Sequence, residues 1–294
     1  MAAMPLAQAN GIEICFETFG DPADPTVLLV MGLGSQMVHW DVELCQGIVE
    51  RGFHVVRFDN RDVGRSTRID ERVDIFSVLQ ARGAGETPAV PYLLSDMAAD
   101  AVGLLDHLGI DRAHMFGVSL GGMIVQTAAI EHPHRVATLA SVMSTTGDPD
   151  VGTPTPEAMT ALLAPPPQTR AAYQDAAIHH AGLWGSPGLV DEARLRRTAG
   201  EAWDRGYNPA GTARQLAAVL ASGSRSTALA AIDIPTLVIH GTADTLVQPS
   251  GGERTAEVIP DAKLLVIEGM GHDLAPPLWP QLVDALAAHA AEHP

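Results

Sequence analysis

Gly117-Val118-Ser119-Leu120-Gly121 is the stretch of sequence that decides the fold. The residues before it, 113–116, form a short apolar run that predicts a buried strand, and residues 122–130 carry apolar side chains at helical spacing. A G-x-S-x-G pentapeptide between a strand and a helix is typical of a nucleophile elbow, a turn so tight that its serine backbone is strained. The pentapeptide alone arises often by chance, so its interpretation depends on the rest of the chain.

The composition limits the class of protein. The chain has 294 residues, of which 46% are hydrophobic, enough for one large α/β domain with an insertion. It holds 35 Asp and Glu against 18 Lys and Arg, a formal net charge of −17. Such a surface repels phosphate backbones and anionic membranes, so we expect no nucleic-acid partner.

The cysteines and the lengths of the apolar runs indicate the cellular compartment. Cys15 and Cys45 are the only cysteines, and their spacing fits neither a disulfide framework nor a metal site. No apolar run approaches the roughly 18 residues that span a bilayer. Residues 1–11 lack the basic and apolar regions of a signal peptide. We therefore expect a cytoplasmic protein with no membrane span, and we leave open whether it is a monomer or a homodimer.

Short apolar runs recur along the chain and predict a mostly parallel sheet. Asn10-Gly11, followed by alternation over 12–19, predicts an antiparallel hairpin at one sheet edge. The other runs are nearly continuous, as in strands that are buried on both faces of a sheet. They lie at 26–31, 55–58, 113–118, 137–143, 235–239 and 263–267.

Helical patterns alternate with these runs, at 41–51, 95–108, 250–258 and 278–289. Ser95 is the expected N-cap of the second helix, and Gly109 its expected end. Residues 145–227 break the alternation, because they contain no buried-strand run and have helix-compatible stretches near 170–183, 190–205 and 212–221. We expect an α/β core of residues 1–144 and 228–294, with 145–227 inserted as a helical cap over the carboxyl edge of the sheet.

If Ser119 is a nucleophile, it needs a base, an acid that orients the base, and an oxyanion hole. Asp244 ends a short loop after the 235–239 run, and His272 follows the last run in Gly269-Met270-Gly271-His272. Both lie just past the carboxyl end of a strand, where open α/β sheets place their sites. We expect Asp244 to hold one imidazole nitrogen of His272 while the other takes the Ser119 proton.

Other residues are alternatives for the acid and the base. Asp148 follows the preceding strand and could reach the same histidine, although we expect Asp244. The chain has 12 histidines, and other candidates are His132 and His134 after the elbow helix, His179 and His180 in the insertion, and His240, which we interpret as a core histidine.

Backbone N–H groups are the expected oxyanion donors, because they are fixed before charge develops. One is that of Leu120, the residue after the nucleophile. The other comes from the loop Gly32-Leu33-Gly34-Ser35, where Leu33 is the expected donor. Specificity should come from the insertion and its surroundings, and the candidate substrate-binding residues are Gly32, Trp40, Met123 and Trp184.

Together these residues resemble the α/β-hydrolase superfamily, and most closely its small bacterial esterases and lipases, including the aclacinomycin methylesterases. The resemblance covers nearly the whole chain and is carried by Asp21-Pro22-Ala23-Asp24-Pro25, by residues 57–66, by the elbow and by residues 269–272. It implies an eight-stranded sheet, a helical cap and Ser119, Asp244 and His272 as the triad. Many relatives have His-Gly where this chain has Met31-Gly32, and we interpret residues 59–66 as a structural turn beneath the site.

These observations predict an enzyme, a serine hydrolase that cleaves a carboxylic ester of a hydrophobic small molecule through an acyl-enzyme. Position 119 is serine, unlike the aspartate nucleophile of haloalkane dehalogenases and epoxide hydrolases on this fold. The sequence contains no metal-ligand cluster and no dinucleotide fingerprint, so we expect neither a metal nor a cofactor. The alternatives are carbon–carbon bond hydrolysis, lactone hydrolysis, perhydrolysis or acyl transfer by the same triad, and a non-catalytic ligand-binding receptor.

Overall fold

The computed structural model describes residues 4–293, and within that range the strands form one eight-stranded sheet in the order β1-β2-β4-β3-β5-β6-β7-β8. β2 pairs antiparallel with β1 and β4, and all other pairs are parallel. The mostly parallel sheet expected from the sequence is therefore confirmed. The strands are β1 (Leu6–Ala9), β2 (Ile12–Phe19), β3 (Thr26–Val30), β4 (His54–Phe58), β5 (Ala113–Val118), β6 (Val136–Val142), β7 (Thr236–Gly241) and β8 (Lys263–Ile267).

One edge of the sheet agrees with the sequence-based prediction, and the other does not. Asn10 and Gly11 have φ of 48° and 77°, the left-handed conformations of a two-residue hairpin turn, and join β1 to β2 as expected. β8 is the other edge strand, and Leu264 and Val266 on one of its faces are 41% and 49% exposed. The prediction that both faces of this strand are buried is therefore wrong for β8. The helices cover the interior strands of the sheet more completely than this edge.

Helices pack on both faces of the sheet. Side chains alternate along the strands, so that Leu28 and Val30 pack with α3 and α4 on one face, while Val27 and Leu29 pack with α1 and α11 on the other. In the described part of the chain the helices are α1 (Val42–Val49), α2 (Ile75–Gly83), α3 (Leu94–Leu108), α4 (Leu120–Glu131), α5 (Pro156–Leu162), α6 (Arg170–Trp184), α7 (Glu192–Gly206), α8 (Pro209–Ser222), α9 (Ser226–Leu229), α10 (Ser250–Val258) and α11 (Trp279–Ala291). None of these helices is long and apolar enough to cross a membrane.

The start of α3 differs from the sequence-based expectation. Ser95 is not its N-cap, because the helix begins one residue earlier and Leu93 occupies the cap position. The Asp96 carboxylate accepts the Leu93 N–H at 2.8 Å, so the side chain three residues into the helix satisfies this end. Gly109 ends the helix in the left-handed conformation, with φ of 68°, as expected.

Helices α5 to α9 lie between β6 and β7, and we call residues 145–227 the cap. The cap is attached to the core through Arg–Asp pairs with almost no solvent exposure. Arg205 of α7 contacts Asp59 at 2.6 Å, and Arg214 of α8 contacts Asp62 at 2.6 Å. Both aspartates lie in the segment 59–66 that follows β4, so this turn is one part of the core to which the cap is attached. Division into separate core and cap domains stays a prediction.

Candidate active site

Ser119 lies at a sharp turn between β5 and α4. Its φ of 56° is in the left-handed region, where a non-glycine residue is strained, and its N–H donates to Val142 O at 2.9 Å. The turn is tight enough that a Cβ on Gly117 would overlap the backbone of Gly121, and one on Gly121 would overlap the Val30 carbonyl. The two glycines of the pentapeptide are therefore required by packing, and the serine side chain stays partly exposed.

The structure brings Ser119, His272 and Asp244 into one hydrogen-bonded chain. Nε2 of His272 lies 2.9 Å from Ser119 Oγ, and Nδ1 of His272 lies 2.7 Å from Asp244 Oδ2. The three residues follow β5, β8 and β7 respectively, at the carboxyl ends of parallel strands. This arrangement has the geometry that a serine nucleophile, a general base and an orienting acid require.

The surroundings of Asp244 keep its carboxylate ionised. Its Oδ1 accepts the N–H groups of Leu246 and Val247, both at 2.9 Å. Burial by itself raises the pKa of Asp244, but attraction to His272 and hydrogen bonds from His240 and His272 outweigh it and hold the pKa at about 2. An ionised acid is the state that can stabilise a positively charged imidazole.

His240 is a second histidine beside Asp244 that the sequence-based interpretation did not connect with the site. Its Nε2 lies 2.8 Å from Val247 O and 3.4 Å from Asp244 Oδ2. The His240 ring is buried, and its Nδ1 has no hydrogen-bond partner among the described residues. Only one of the two ring nitrogens is therefore hydrogen-bonded. The sequence signal that could have revealed it is the spacing, since His240 lies four residues before Asp244 at the end of β7.

Asp148, the alternative acid, is held elsewhere. Its carboxylate accepts from Ser224, from Ser226 at 2.6 Å and from Arg254 at 2.9 Å. These partners lie on or before α9 and on α10, so the structure brings Asp244 and not Asp148 to His272.

The predicted oxyanion donors are the backbone N–H groups of Leu120 and Leu33. Leu120 is the first residue of α4, where no preceding helical carbonyl is available for its N–H. In the loop after β3, Ser35 N–H donates to Gly32 O at 3.2 Å, and Gly34 N–H donates to Gln215 Oε1 at 2.8 Å. The Leu33 N–H takes part in neither of these two bonds.

Gln215 of α8 holds this loop and was missed by sequence reasoning. Its side chain is fully buried, accepts from Gly34 N–H and donates to Arg61 O at 2.8 Å. Gln215 lies 181 positions after Gly34. A glutamine in a helix of the insertion carries no local sequence signal that would connect it with so distant a loop. Its position is a consequence of how the cap packs.

The four predicted substrate-binding residues differ in how close they lie to Ser119 and in how exposed they are. A Cβ on Gly32 would lie 3.3 Å from Ser119 Cβ, so Gly32 is next to the serine, and the Trp184 carbonyl accepts the His272 N–H at 2.5 Å. Met123 is in α4 and is 8% exposed. Trp40 has no exposed surface and packs 5.4 Å from the Phe116 ring, so its interpretation as a substrate contact requires correction and it belongs to the core.

Aromatic side chains of the cap form a cluster. Tyr173 of α6 lies 5.9 Å from Trp203 of α7 and 4.6 Å from Tyr207, and Trp203 and Tyr207 are stacked at 5.1 Å between ring centroids. Burial raises the pKa of Tyr173 to about 12. Closer to His272, His180 stacks on Trp184 at 4.5 Å between ring centroids. The cap therefore carries partly buried aromatic surface on two helices.

Comparison with known proteins agrees with this architecture. The model of the family described as alpha/beta hydrolase fold matches residues 25–275, and the chain belongs to this family. The chain is 28% identical to the rhodomycin D methylesterase DnrP of Streptomyces peucetius, over 97% of this chain and 98% of that protein. It is 25% identical to 3-oxoadipate enol-lactonase 2 of Acinetobacter baylyi, over 88% of this chain and 86% of that protein. The solved structure of the esterase RhEst1 from a Rhodococcus species has the same fold, with a TM-score of 0.77 at 18% identity over 99% of each chain. The chain is a carboxylic ester hydrolase, as expected from the sequence.

Proposed function

We propose that this enzyme cleaves a carboxylic ester of a hydrophobic small molecule through an acyl-enzyme, with Ser119 as nucleophile, His272 as general base and Asp244 as the orienting acid. The observation that carries the proposal is the pair of hydrogen bonds from Ser119 to His272 and from His272 to Asp244, at 2.9 and 2.7 Å. The strained backbone of Ser119 supports it, because such strain is typical of nucleophile elbows.

The proposed reaction has two halves. As Ser119 Oγ attacks the ester carbonyl, His272 Nε2 takes its proton and Asp244 stabilises the imidazolium. The N–H groups of Leu120 and Leu33 stabilise the charge that develops on the carbonyl oxygen. His272 then gives the proton to the departing alkoxide, and the alcohol leaves. In the second half a water molecule loses its proton to His272 as it attacks the acyl carbonyl. His272 returns this proton to Ser119 Oγ as the acyl–oxygen bond breaks and the acid leaves.

Two features support a hydrophobic substrate. Trp184, whose carbonyl is bonded to the His272 backbone, is half-buried, and so is Leu33 in the proposed oxyanion loop. Apolar and aromatic linings are typical of small-molecule sites. Similarity to a protein named rhodomycin D methylesterase makes the methyl ester of a hydrophobic acid the first substrate to test. A cytoplasmic location is compatible with Cys15 and Cys45, which are both free and buried.

The test combines turnover with covalent labelling. Ser119→Ala should lose at least about 1,000-fold in kcat on p-nitrophenyl esters, because removal of a triad nucleophile leaves only binding and oxyanion stabilisation. It should also lose labelling by a fluorophosphonate probe, while its circular dichroism stays unchanged. Ser77→Ala, at an exposed serine of α2 whose hydroxyl donates to Asp74, is the matched control and should behave like the wild type. Turnover by Ser119→Ala at the wild-type rate would refute the proposal.

Lactone hydrolysis is a second candidate, because the chain is 25% identical to an enol-lactonase over most of its length. The chemistry is the same, since a lactone is a cyclic ester whose alcohol stays attached to the acyl group. Methyl esters and lactones of matched size, assayed side by side by pH-stat, distinguish the two. If kcat/KM is at least about tenfold higher for the lactones than for the open-chain esters, lactones are the preferred substrates.

A further inference from the structure

Helix α6 of the cap ends against the loop that carries His272. The Trp184 carbonyl, at the last residue of the helix, accepts the backbone N–H of His272 at 2.5 Å. The next carbonyl back, that of Leu183, accepts the Thr245 hydroxyl at 2.9 Å, one residue beyond Asp244. The end of one cap helix thus contacts both the loop of the proposed base and the loop of the proposed acid.

Ser186, two residues beyond the end of α6, makes the most complete set of these contacts. It has no exposed surface. Its hydroxyl donates to Asp273 Oδ1 at 2.5 Å and accepts the Gly271 N–H at 2.9 Å, while its own N–H donates to Asp273 Oδ2 at 3.1 Å. The residues before, at and after His272 are therefore all bonded to Trp184 or Ser186.

The two chain segments meet backbone to backbone. A Cβ on Gly271 would overlap the main chain of Gly185, and one on Gly185 would lie 2.9 Å from Asp273 Oδ2. Side chains at these positions would push the segments apart. The absence of side chains at both glycines lets Ser186 reach the loop of His272.

Hydrogen bonds from the core to the backbone of this loop lie at its flanks. Gly269 N–H donates to the Thr242 hydroxyl at 2.9 Å, and the Met270 carbonyl accepts the Ala243 N–H at 2.9 Å. Beyond His272, the Trp279 indole donates to the Leu274 carbonyl at 2.9 Å. The N–H groups of Gly271 and His272, which lie between these anchors, both donate to the cap.

We propose that Ser186 and Asp273 are positioning residues for His272, which fix its loop to the end of α6 so that the imidazole reaches Ser119 and Asp244 together. The proposal rests on the proposed function, since it concerns the base of that triad. Neither side chain takes part in the reaction itself. Their contribution is geometric, and a misplacement of about 1 Å in a reacting group lowers a rate by about 100-fold.

The test measures kcat and KM separately in a double-mutant cycle. Ser186→Ala and Asp273→Ala should each lower kcat on a p-nitrophenyl ester by about 10- to 100-fold, with KM changed by less than about threefold. The rate of fluorophosphonate labelling should fall in parallel with kcat, since labelling needs the same base. The two side chains share one hydrogen bond, and each also makes one contact without the other. The double variant should therefore lose less than the product of the two single losses.

Milder and remote variants keep the test decisive. Ser186→Thr keeps the hydroxyl and should recover most of the lost kcat, and Asp273→Asn keeps one acceptor for the Ser186 hydroxyl and should lose less than Asp273→Ala. The matched control is Ser226→Ala, which removes a Ser–Asp hydrogen bond of 2.6 Å at another edge of the cap. It should leave kcat unchanged.

Each remaining outcome assigns the failure to one proposal. A kcat within about twofold of the wild type in folded Ser186→Ala and Asp273→Ala overturns the positioning role, provided that Ser119→Ala is inactive. Effects that multiply in the double variant overturn it as well. If Ser119→Ala retains turnover, the triad is refuted instead. If Ser186→Ala does not fold, the same kcat and KM criteria apply to Asp273→Ala alone.

Discussion

Asp244→Asn is the substitution whose outcome the structure predicts most sharply. Oδ1 of Asp244 accepts two backbone N–H groups, those of Leu246 and Val247 at 2.9 Å, while Oδ2 faces His272 Nδ1 at 2.7 Å. An asparagine must therefore place its oxygen at the backbone donors, because an amide NH₂ there would face two N–H groups. Its NH₂ then points at His272 and donates to Nδ1.

This orientation selects the wrong form of the imidazole. With Nδ1 accepting a hydrogen bond, the neutral ring carries its proton on Nε2, the atom 2.9 Å from Ser119 Oγ. Such a ring cannot take the serine proton. An isosteric Asp-to-Asn change that reverses the tautomer in a serine protease lowers kcat by about 10,000-fold, and we expect a loss of that order here.

The assay is steady-state hydrolysis of a p-nitrophenyl ester, with fluorophosphonate labelling as a second measure of nucleophile activation. Asp148→Asn is the matched control, since Asp148 is another aspartate held by several hydrogen bonds, at the edge of the cap, and it should retain wild-type kcat. A loss of less than about tenfold in folded Asp244→Asn would show that the acid does not set the tautomer, and would refute the reasoning.

Further predictions concern the loop, the cap and pH. Gln215→Ala should lower kcat/KM on the same ester, but by less than the roughly 100-fold that loss of a whole oxyanion donor costs; an unchanged kcat/KM would contradict its role at Gly34. Arg214→Met leaves Asp62 buried without its charge partner and should lower the free energy of unfolding in urea by about 3–5 kcal/mol, whereas Arg196→Met, at an exposed pair, should change it by less than about 1 kcal/mol. The pKa of Asp244 is about 2 in the folded protein and ordinarily 3.8, so its carboxylate stabilises the fold above pH 4, and this contribution falls by about 2 kcal/mol as the pH falls towards 2; in urea titrations the wild type should lose about 2 kcal/mol more than Asp244→Asn over this range, because other carboxylates such as Asp148 titrate in both proteins.

Local patterns account for the features that the sequence predicts well. Ser119 is recognisable because the glycines, the preceding strand and the following helix all lie within about 20 residues of it. Asp244 and His272 are recognisable because each follows an apolar run, and the carboxyl ends of parallel strands meet at one edge of the sheet. In these cases a short stretch of sequence contains both the residue and the element that positions it.

Contacts between distant segments account for what the sequence does not predict. Ser186 and Gln215 lie in the insertion, and their partners lie 85 to 181 positions away. Trp40 shows a related difficulty, because a large aromatic residue near the oxyanion loop fits a core position and a substrate contact equally well. Only the packing of Trp40 against Phe116 decides that it belongs to the core.

We expect the cap to affect catalysis as well as specificity, because it contacts the groups that would carry out the proposed reaction. Gln215 of α8 holds the loop of the proposed oxyanion donor, and Ser186 holds the loop of His272. The chain as a whole has a net charge of −17, but two positively charged residues attach the cap to the core. Arg205 and Arg214 of the cap contact buried aspartates of the core. If α7 and α8 shift, the loop of the oxyanion donor shifts with them, and movement of α6 displaces His272. Substitutions that loosen the cap should therefore lower kcat and not only raise KM.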